Sequence, residues 1–332
     1  MWAAGRSDGF RMRACTSVEN VTTTPALRYL TRSDVRELLP GWHDQIDLAE
    51  DTAVELAAGR VEMPPKPGIH PRPDAFIHAM PAHLTGADVA ALKWVSGYPS
   101  NKALGVPYIN GLLILNDAET GIPIAIMDCV EITAARTAAA SGVCVRRWAP
   151  EGWHTAAILG CGEQGSYHAA MLRALNPEAE IIAYDPTPAR AEALPGRTSV
   201  ARSVEEAVVA ADVVITAAPI VRDPHPSIHA DMLRPQHLLL PIDFDAVVAR
   251  DAVEAADLFL TDHLAQFAHY RELGHFRDWP APADAVGARV RDDGHPDRVV
   301  CCNLGVGALD AAFAALVHAR AVASDVGTVL AR

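Results

Sequence analysis

The sequence predicts an α/β protein built around a parallel, doubly wound sheet. Three observations predict it. Short apolar strands alternate with helix-favouring stretches from residue 155 onward, a Gly-x-Gly-x-x-Gly loop follows the first of these strands, and an acidic residue closes the second. The 332 residues suffice for two domains with separate cores.

Before that region the pattern is mixed. The first 25 residues scatter Arg6, Asp8, Arg11 and Arg13 without an apolar core, so they are not a secretion signal. Residues 1–26 are expected to form a flexible extension. Helical patterning begins near residue 31, where Thr31 or Ser33 can cap a stretch reaching residue 39. Residues 60–80 hold Pro64, Pro65, Pro67, Pro71 and Pro73 and should be extended. Residues 92–96 read as a strand followed by a turn. The apolar runs 111–116 and 123–128 flank Thr120-Gly121 and read as a hairpin. Residues 133–144 are small and helix-favouring until Pro150-Glu151-Gly152 breaks the pattern.

The regular region follows. Residues 155–159 form the first strand, and 164–175 a helix offering Ala169, Ala170, Leu172 and Leu175 for burial. Residues 180–184 are the second strand and 188–194 a second helix. Ser203 caps a helix reaching residue 211, and strands follow at 212–216, 237–242 and 258–260. The closing stretch, 305–324, is an alanine-rich helix.

Composition excludes several classes. A net charge of -13 leaves no basic surplus for nucleic acid. No run approaches the roughly 18 apolar residues of a membrane span. The cysteines at 15, 129, 144, 161, 301 and 302 show no C-x-x-C spacing, which predicts a reduced, cytoplasmic protein with Cys301-Cys302 as small buried residues. His70, His78 and His83 have no metal-site spacing, so no metal is expected, and neither a Gly-x-Ser-x-Gly elbow nor a Walker sequence is present.

The loop Gly160-Cys161-Gly162-Glu163-Gln164-Gly165 is flanked by a strand and a helix, with Asp185 closing the next strand. Gly160 permits the tight turn, Gly162 lets the backbone approach a pyrophosphate, and Gly165 lets helix and strand pack closely. The helix N-terminus offers unpaired N–H groups to phosphate. Asp185 would accept the ribose hydroxyls and repel a 2′-phosphate, which favours NAD; nearby Arg190 keeps NADP open.

Upstream, Met80-Pro81-Ala82, Lys93-Trp94-Val95-Ser96-Gly97-Tyr98-Pro99-Ser100-Asn101, Leu115-Asn116-Asp117, Thr120-Gly121-Ile122-Pro123, Met127-Asp128 and Ile132-Thr133-Ala134-Ala135-Arg136-Thr137-Ala138-Ala139 run into the loop. In these motifs and their order the chain resembles the ornithine cyclodeaminase/mu-crystallin family, from about residue 27 to 325. The resemblance implies a Rossmann NAD-binding domain (133–305) inserted in an α+β substrate-binding and dimerisation domain (27–132 plus 306–332), and a homodimer. It implies an amino- or imino-acid substrate.

The resemblance also assigns residues. Arg136 matches the arginine that grips the substrate carboxylate through two parallel hydrogen bonds. Lys93 matches the lysine beside the substrate, as a carboxylate ligand or an acid/base. Met80 falls on the substrate side, and Thr137, Glu163 and Gln164 with the cofactor. Lys66 stands where many cyclodeaminases carry a second arginine, keeping the charge but losing the bidentate fork, with Arg72 as the alternative. Asp243, just after a strand at the carboxyl edge, matches the aspartate that moves protons at the substrate's amino groups; Asp245 is the weaker candidate. Asp243 places cyclodeamination of an ornithine-like diamino acid, with release of ammonia, ahead of ketimine reduction or amino-acid dehydrogenation. A non-catalytic ligand-binding role of the mu-crystallin type is the third reading.

Overall fold

The computed structural model describes residues 25–221 and 223–332. Most of the expected extension therefore lies outside the described residues. The chain opens with β1 (Leu27–Leu30) and α1 (Arg32–Leu38), whose N-cap is Thr31 in a capping box with Asp34. A helix that the sequence reading passed over follows: α2 (Trp42–Ala57) buries Ile46, Ala49 and Leu56. Up to residue 75 the proline-dense stretch contributes only two-residue strands, β2 (Val61–Glu62) and β3 (Gly68–Ile69), because proline cannot donate to a ladder. Then come β4 (Phe76–Leu84), β5 (Val89–Gly97), β6 (Ile109–Asp117) and β7 (Pro123–Asp128), an antiparallel meander in which the expected 111–116/123–128 hairpin is present. Helix α3 (Val130–Trp148), apolar on nearly every side, leads out of this sheet.

The second sheet contains β8 (Thr155–Leu159), α4 (Glu163–Leu175), β9 (Glu180–Tyr184), α5 (Pro188–Glu192), β10 (Thr198–Val200), α6 (Val204–Val208, capped by Ser203) and β11 (Val213–Thr216). It continues through β12 (His237–Pro241), α7 (Arg250–Glu254), β13 (Leu258–Thr261), α8 (Leu264–Glu272), β14 (Asp284–Ala285), α9 (Val286–Arg289) and β15 (Arg298–Cys302). Its order is β10-β9-β8-β11-β12-β15-β13-β14 with every pairing parallel, the doubly wound arrangement. Cys301 and Cys302 are buried, as expected, but as part of β15, a strand the sequence reading did not propose. Ala170 is exposed rather than buried, and α5 and α6 stop short of residues 194 and 211.

Helix α10 (Gly307–Ser324) and β16 (Thr328–Leu330) return to the first sheet, whose order is β16-β1-β7-β6-β5-β4-β2 with β3 also on β4. Residues 307–315 of α10 are all buried, so this helix lies in the core beneath β4 and β5. It thereby brings its first turn under the middle of β5. No helix among the described residues is long and apolar enough to cross a membrane.

Candidate functional site

The glycine loop joins β8 to α4 at the carboxyl edge of the second sheet. Gly160 has φ 97°, and a Cβ there would lie 2.4 Å from the Ala217 carbonyl oxygen; a Cβ on Gly165 would lie 2.3 Å from the Gly160 oxygen. Both glycines are demanded by the fold itself. Gly162 differs: a Cβ there would meet nothing within 4 Å, and as N-cap of α4 it provides no side-chain cap. The open side of the loop and uncapped helix end fit a dinucleotide phosphate.

Asp185 is nearly buried. Its Oδ2 accepts from the Cys161 amide at 3.0 Å and its Oδ1 from the Thr187 amide at 2.8 Å. The carboxylate thus braces the loop, and each oxygen keeps a lone pair for a ribose hydroxyl. Arg190 is exposed. Glu163 pairs with Arg32 of α1, and Gln164 keeps its Oε1 buried without a partner among the described residues. Thr137, partly exposed on α3, donates its hydroxyl to the Thr133 carbonyl at 2.7 Å.

The expected carboxylate ligands converge. Alternation along β5 turns Lys93 inward with Val95 and turns Trp94, 47% exposed, outward. Lys93 Nζ donates to Asp310 Oδ1 at 2.7 Å and to Thr133 Oγ1 at 3.3 Å. Arg136, buried on α3, donates from Nε to the same Asp310 oxygen at 3.0 Å, and its Nη groups lie against Gly305. A Cβ at Gly305, whose φ is 78°, would stand 2.5 Å from Arg136 Nη1. Lys66 Nζ reaches the Leu304 carbonyl at 2.8 Å and stands 5.2 Å from the Tyr270 ring centroid. Arg72 is exposed and among the described residues bonds only the Pro71 carbonyl, so the lysine is the residue that enters the cluster. Met80 is buried on β4 directly opposite Lys93.

Burial and mutual repulsion depress both lysines. Lys93 falls to about 8 through desolvation and Arg136, against the pull of Asp310, and Lys66 to about 7 through desolvation, Arg136 and Lys93. His78, stacked on Phe76, is pushed down to about 3 by burial and the nearby Lys66 and so is neutral.

Asp243 stands at the end of β12, 1% exposed. Its Oδ1 accepts from the Thr216 hydroxyl and its Oδ2 from the Ala218 amide at 2.9 Å. Burial outweighs these bonds and raises its pKa to about 7, so it can hold or release a proton near neutrality. Asp245 instead binds the Phe276 amide at 2.6 Å. Between them Phe244 adopts φ 64°, a strained conformation for a bulky residue and one found at functional sites.

Three residues of the site escaped the sequence reading. Asp310 joins Lys93 to Arg136. Asp262 accepts the Gly305 amide at 2.7 Å, and Gln266 donates to the Gly305 carbonyl at 3.0 Å, so together they hold the turn against Arg136. For Asp310 a signal existed: it is the one Asp, Glu, Lys or Arg between Arg298 and Arg320, in the otherwise apolar stretch 304–317. A carboxylate there must be paired.

Comparison with known proteins identifies what the chain is similar to. The family described as "Ornithine cyclodeaminase/mu-crystallin family" matches residues 28–282. Nodulation efficiency protein NfeD of Rhizobium meliloti is 34% identical over 322 residues, covering 92% of this chain and 98% of that protein. Delta(1)-pyrroline-2-carboxylate reductase of Thermococcus litoralis, solved with NADH and L-proline, superposes with TM-score 0.79 at 25% identity over 91% of this chain and 99% of its own. An archaeal alanine dehydrogenase dimer with bound NAD gives TM-score 0.80 at 26% identity, covering 92% and 99%.

Proposed function

Because the chain belongs to the ornithine cyclodeaminase/mu-crystallin family, we propose that it uses NAD(H) to move a hydride to or from the α-carbon of a monocarboxylic amino or imino acid, with reduction of a ketimine as the favoured direction. The observation that carries this reading is the gathering of Lys66, Lys93 and Arg136 around Gly305 and Asp310; Asp243, buried just after β12, is the group that can hold a proton near neutrality. Residues 133–305 would bind the cofactor, inserted between the two parts of the substrate domain (27–132 and 306–332). The nicotinamide would supply the hydride chemistry when bound.

The chain's own groups do the rest. Arg136, Lys93 and Lys66 bind the carboxylate and orient the α-carbon. Asp243, protonated below about 7, gives its proton to the nitrogen as the C=N bond is reduced, and takes it back in the oxidative direction. Thr216 and Ala218 keep its carboxyl group in place. Asp185 supports NAD over NADP.

Both substrates bring a carboxylate for the grip, but a diamino acid adds a side-chain ammonium to a pocket that already holds three cations, whereas a cyclic imino acid has no second amine. This ordering places net reduction ahead of cyclodeamination, the reading that Asp243 favoured on the sequence. Asp243 still supports cyclodeamination as the second reading, and a non-catalytic ligand-binding role is the third. One assay separates them: NADH with Δ1-pyrroline-2-carboxylate, then NAD+ with L-ornithine or L-lysine, following absorbance, proline or pipecolate, and ammonia. Loss of NADH with the imine supports reduction; ammonia without net NADH supports cyclodeamination; cofactor binding with neither points to the ligand-binding role. We further propose a homodimer in the cytoplasm, in keeping with five described cysteines that are all free and buried.

A further inference from the structure

We propose that Asp310 is the positioning residue of the carboxylate grip: it holds the Lys93 ammonium and the Arg136 guanidinium together as one anion-binding pair. The proposal rests on the reading above that these two side chains bind the substrate carboxylate.

One oxygen, Oδ1, receives both Lys93 Nζ at 2.7 Å and Arg136 Nε at 3.0 Å. Taking the Nε edge leaves the two Nη groups of Arg136 without an acceptor among the described residues, against the side-chain-free surface of Gly305. A carboxylate can then dock on the part of the fork that Asp310 does not use. Asp310 is 1% exposed, and its Oδ2 is buried with no hydrogen-bond partner among the described residues. A first-turn aspartate that merely served its helix would spend its oxygens on backbone amides; the bonds of Asp310 go to the two cations instead.

Lys93 needs this partner. The groups facing it are Arg136 and Thr133 on α3, Cys129 just before α3, Lys66 from the proline-rich segment, His78 on β4 and Asp310 on α10. Of these, Arg136 and Lys66 are cations, His78 is neutral, and the Cys129 thiol is pushed up to about 11 and so is uncharged. Asp310 is therefore the anion of the set. Without it, a fully buried ammonium beside a guanidinium would release its proton, and half of the grip would disappear.

The test is binding of pyrrole-2-carboxylate, a flat carboxylate mimic of a cyclic imino acid, measured by calorimetry from pH 6 to 10 with NADH present. Lys66 titrates near 7, so the comparison is made in the Lys66→Gln background, where Lys93 sets the alkaline limb near 8. Adding Asp310→Asn should move that limb down by about one pH unit or more and weaken binding at pH 8 by about tenfold. Asp310→Glu should bring the limb back toward its original position, and NADH affinity should be unchanged in both variants. An unmoved limb, a glutamate variant no better than the asparagine one, or a parent protein that binds no carboxylate would each overturn the assignment. Carboxylate binding without turnover of any imino or amino acid would instead defeat the proposed function and leave Asp310 standing.

Discussion

Asp243 and Arg136 divide the proposed chemistry between proton and anion, and single substitutions should separate the two. Asp243→Asn keeps the shape but cannot donate an acidic proton, so kcat should fall by about 10²–10⁴ with little change in KM. In the parent, the reductive rate needs the protonated acid and should decline as pH rises through about 7, while the oxidative rate should rise over the same interval. A pH–rate profile in both directions checks this; a reductive rate flat from pH 6 to 8 would remove Asp243 as the acid. Arg136→Lys keeps charge but loses the planar fork, so KM should rise about tenfold while cofactor affinity is unchanged, as initial-rate kinetics would register. The two residues differed in legibility. Arg136 sat in a recognisable run, whereas Asp310 did not, because its partners lie 174 and 217 positions away and no local pattern records them.

The same contrast holds among the elements. Strands β8, β9 and β11 were readable because each is an apolar run bounded by turn residues, and Ser203 marked a helix start, whereas the three-residue β10 (Thr198–Val200) carries no such run and was not expected. Strand β15 was not: four apolar residues from Val299 cannot be told from a helix segment by period, and its pairing with β12 and β13 is non-local. Nor did the sequence announce how α3 and α4 are tied together. Glu131, wholly buried, accepts from Arg32, Arg36 and Tyr167, and so links α1, α3 and the helix that follows the glycine loop. Although burial pushes its carboxyl upward, the hydrogen bonds from Arg36, Tyr167 and Arg32 win and the pKa is lowered. A lowered carboxylate contributes stability that is present above its unfolded value and lost as pH falls through the folded one. Glu131→Gln should therefore cost about 2–4 kcal/mol at pH 7, and the loss should shrink toward pH 3. Denaturant titration at both pH values measures it; an equal loss at each would mean the charge is not what stabilises the helices.

At the scale of the whole molecule, the first sheet has, among the described residues, a covered face and a bare one. Its inward residues meet α10 and the site, while the outward positions carry Trp94 on β5 and Leu112 on β6, directly paired across the strands and 47% and 45% exposed. Leu92 and Ile114 pair beside them on the same face and are partly buried. An apolar patch in the middle of a sheet is costly to leave in water, and a second copy of the chain, related by a two-fold axis, would cover it with the same surface. The alternation that points Trp94 outward is what points Lys93 inward, so the proposed dimer face and the site are opposite sides of one strand. Trp94→Asp should raise the dimer dissociation constant by about 30-fold or more, given a cost of about 2 kcal/mol or more for an unpaired charge in an apolar contact. Sedimentation velocity across a dilution series reads the change directly. A variant that remains dimeric at the lowest concentration would move the interface elsewhere, and a parent that is monomeric throughout would leave this face without its proposed partner. If dissociation also raises KM for the carboxylate substrate, the partner supports β5 and with it the position of Lys93; if KM is unchanged, each protomer holds a complete grip of its own.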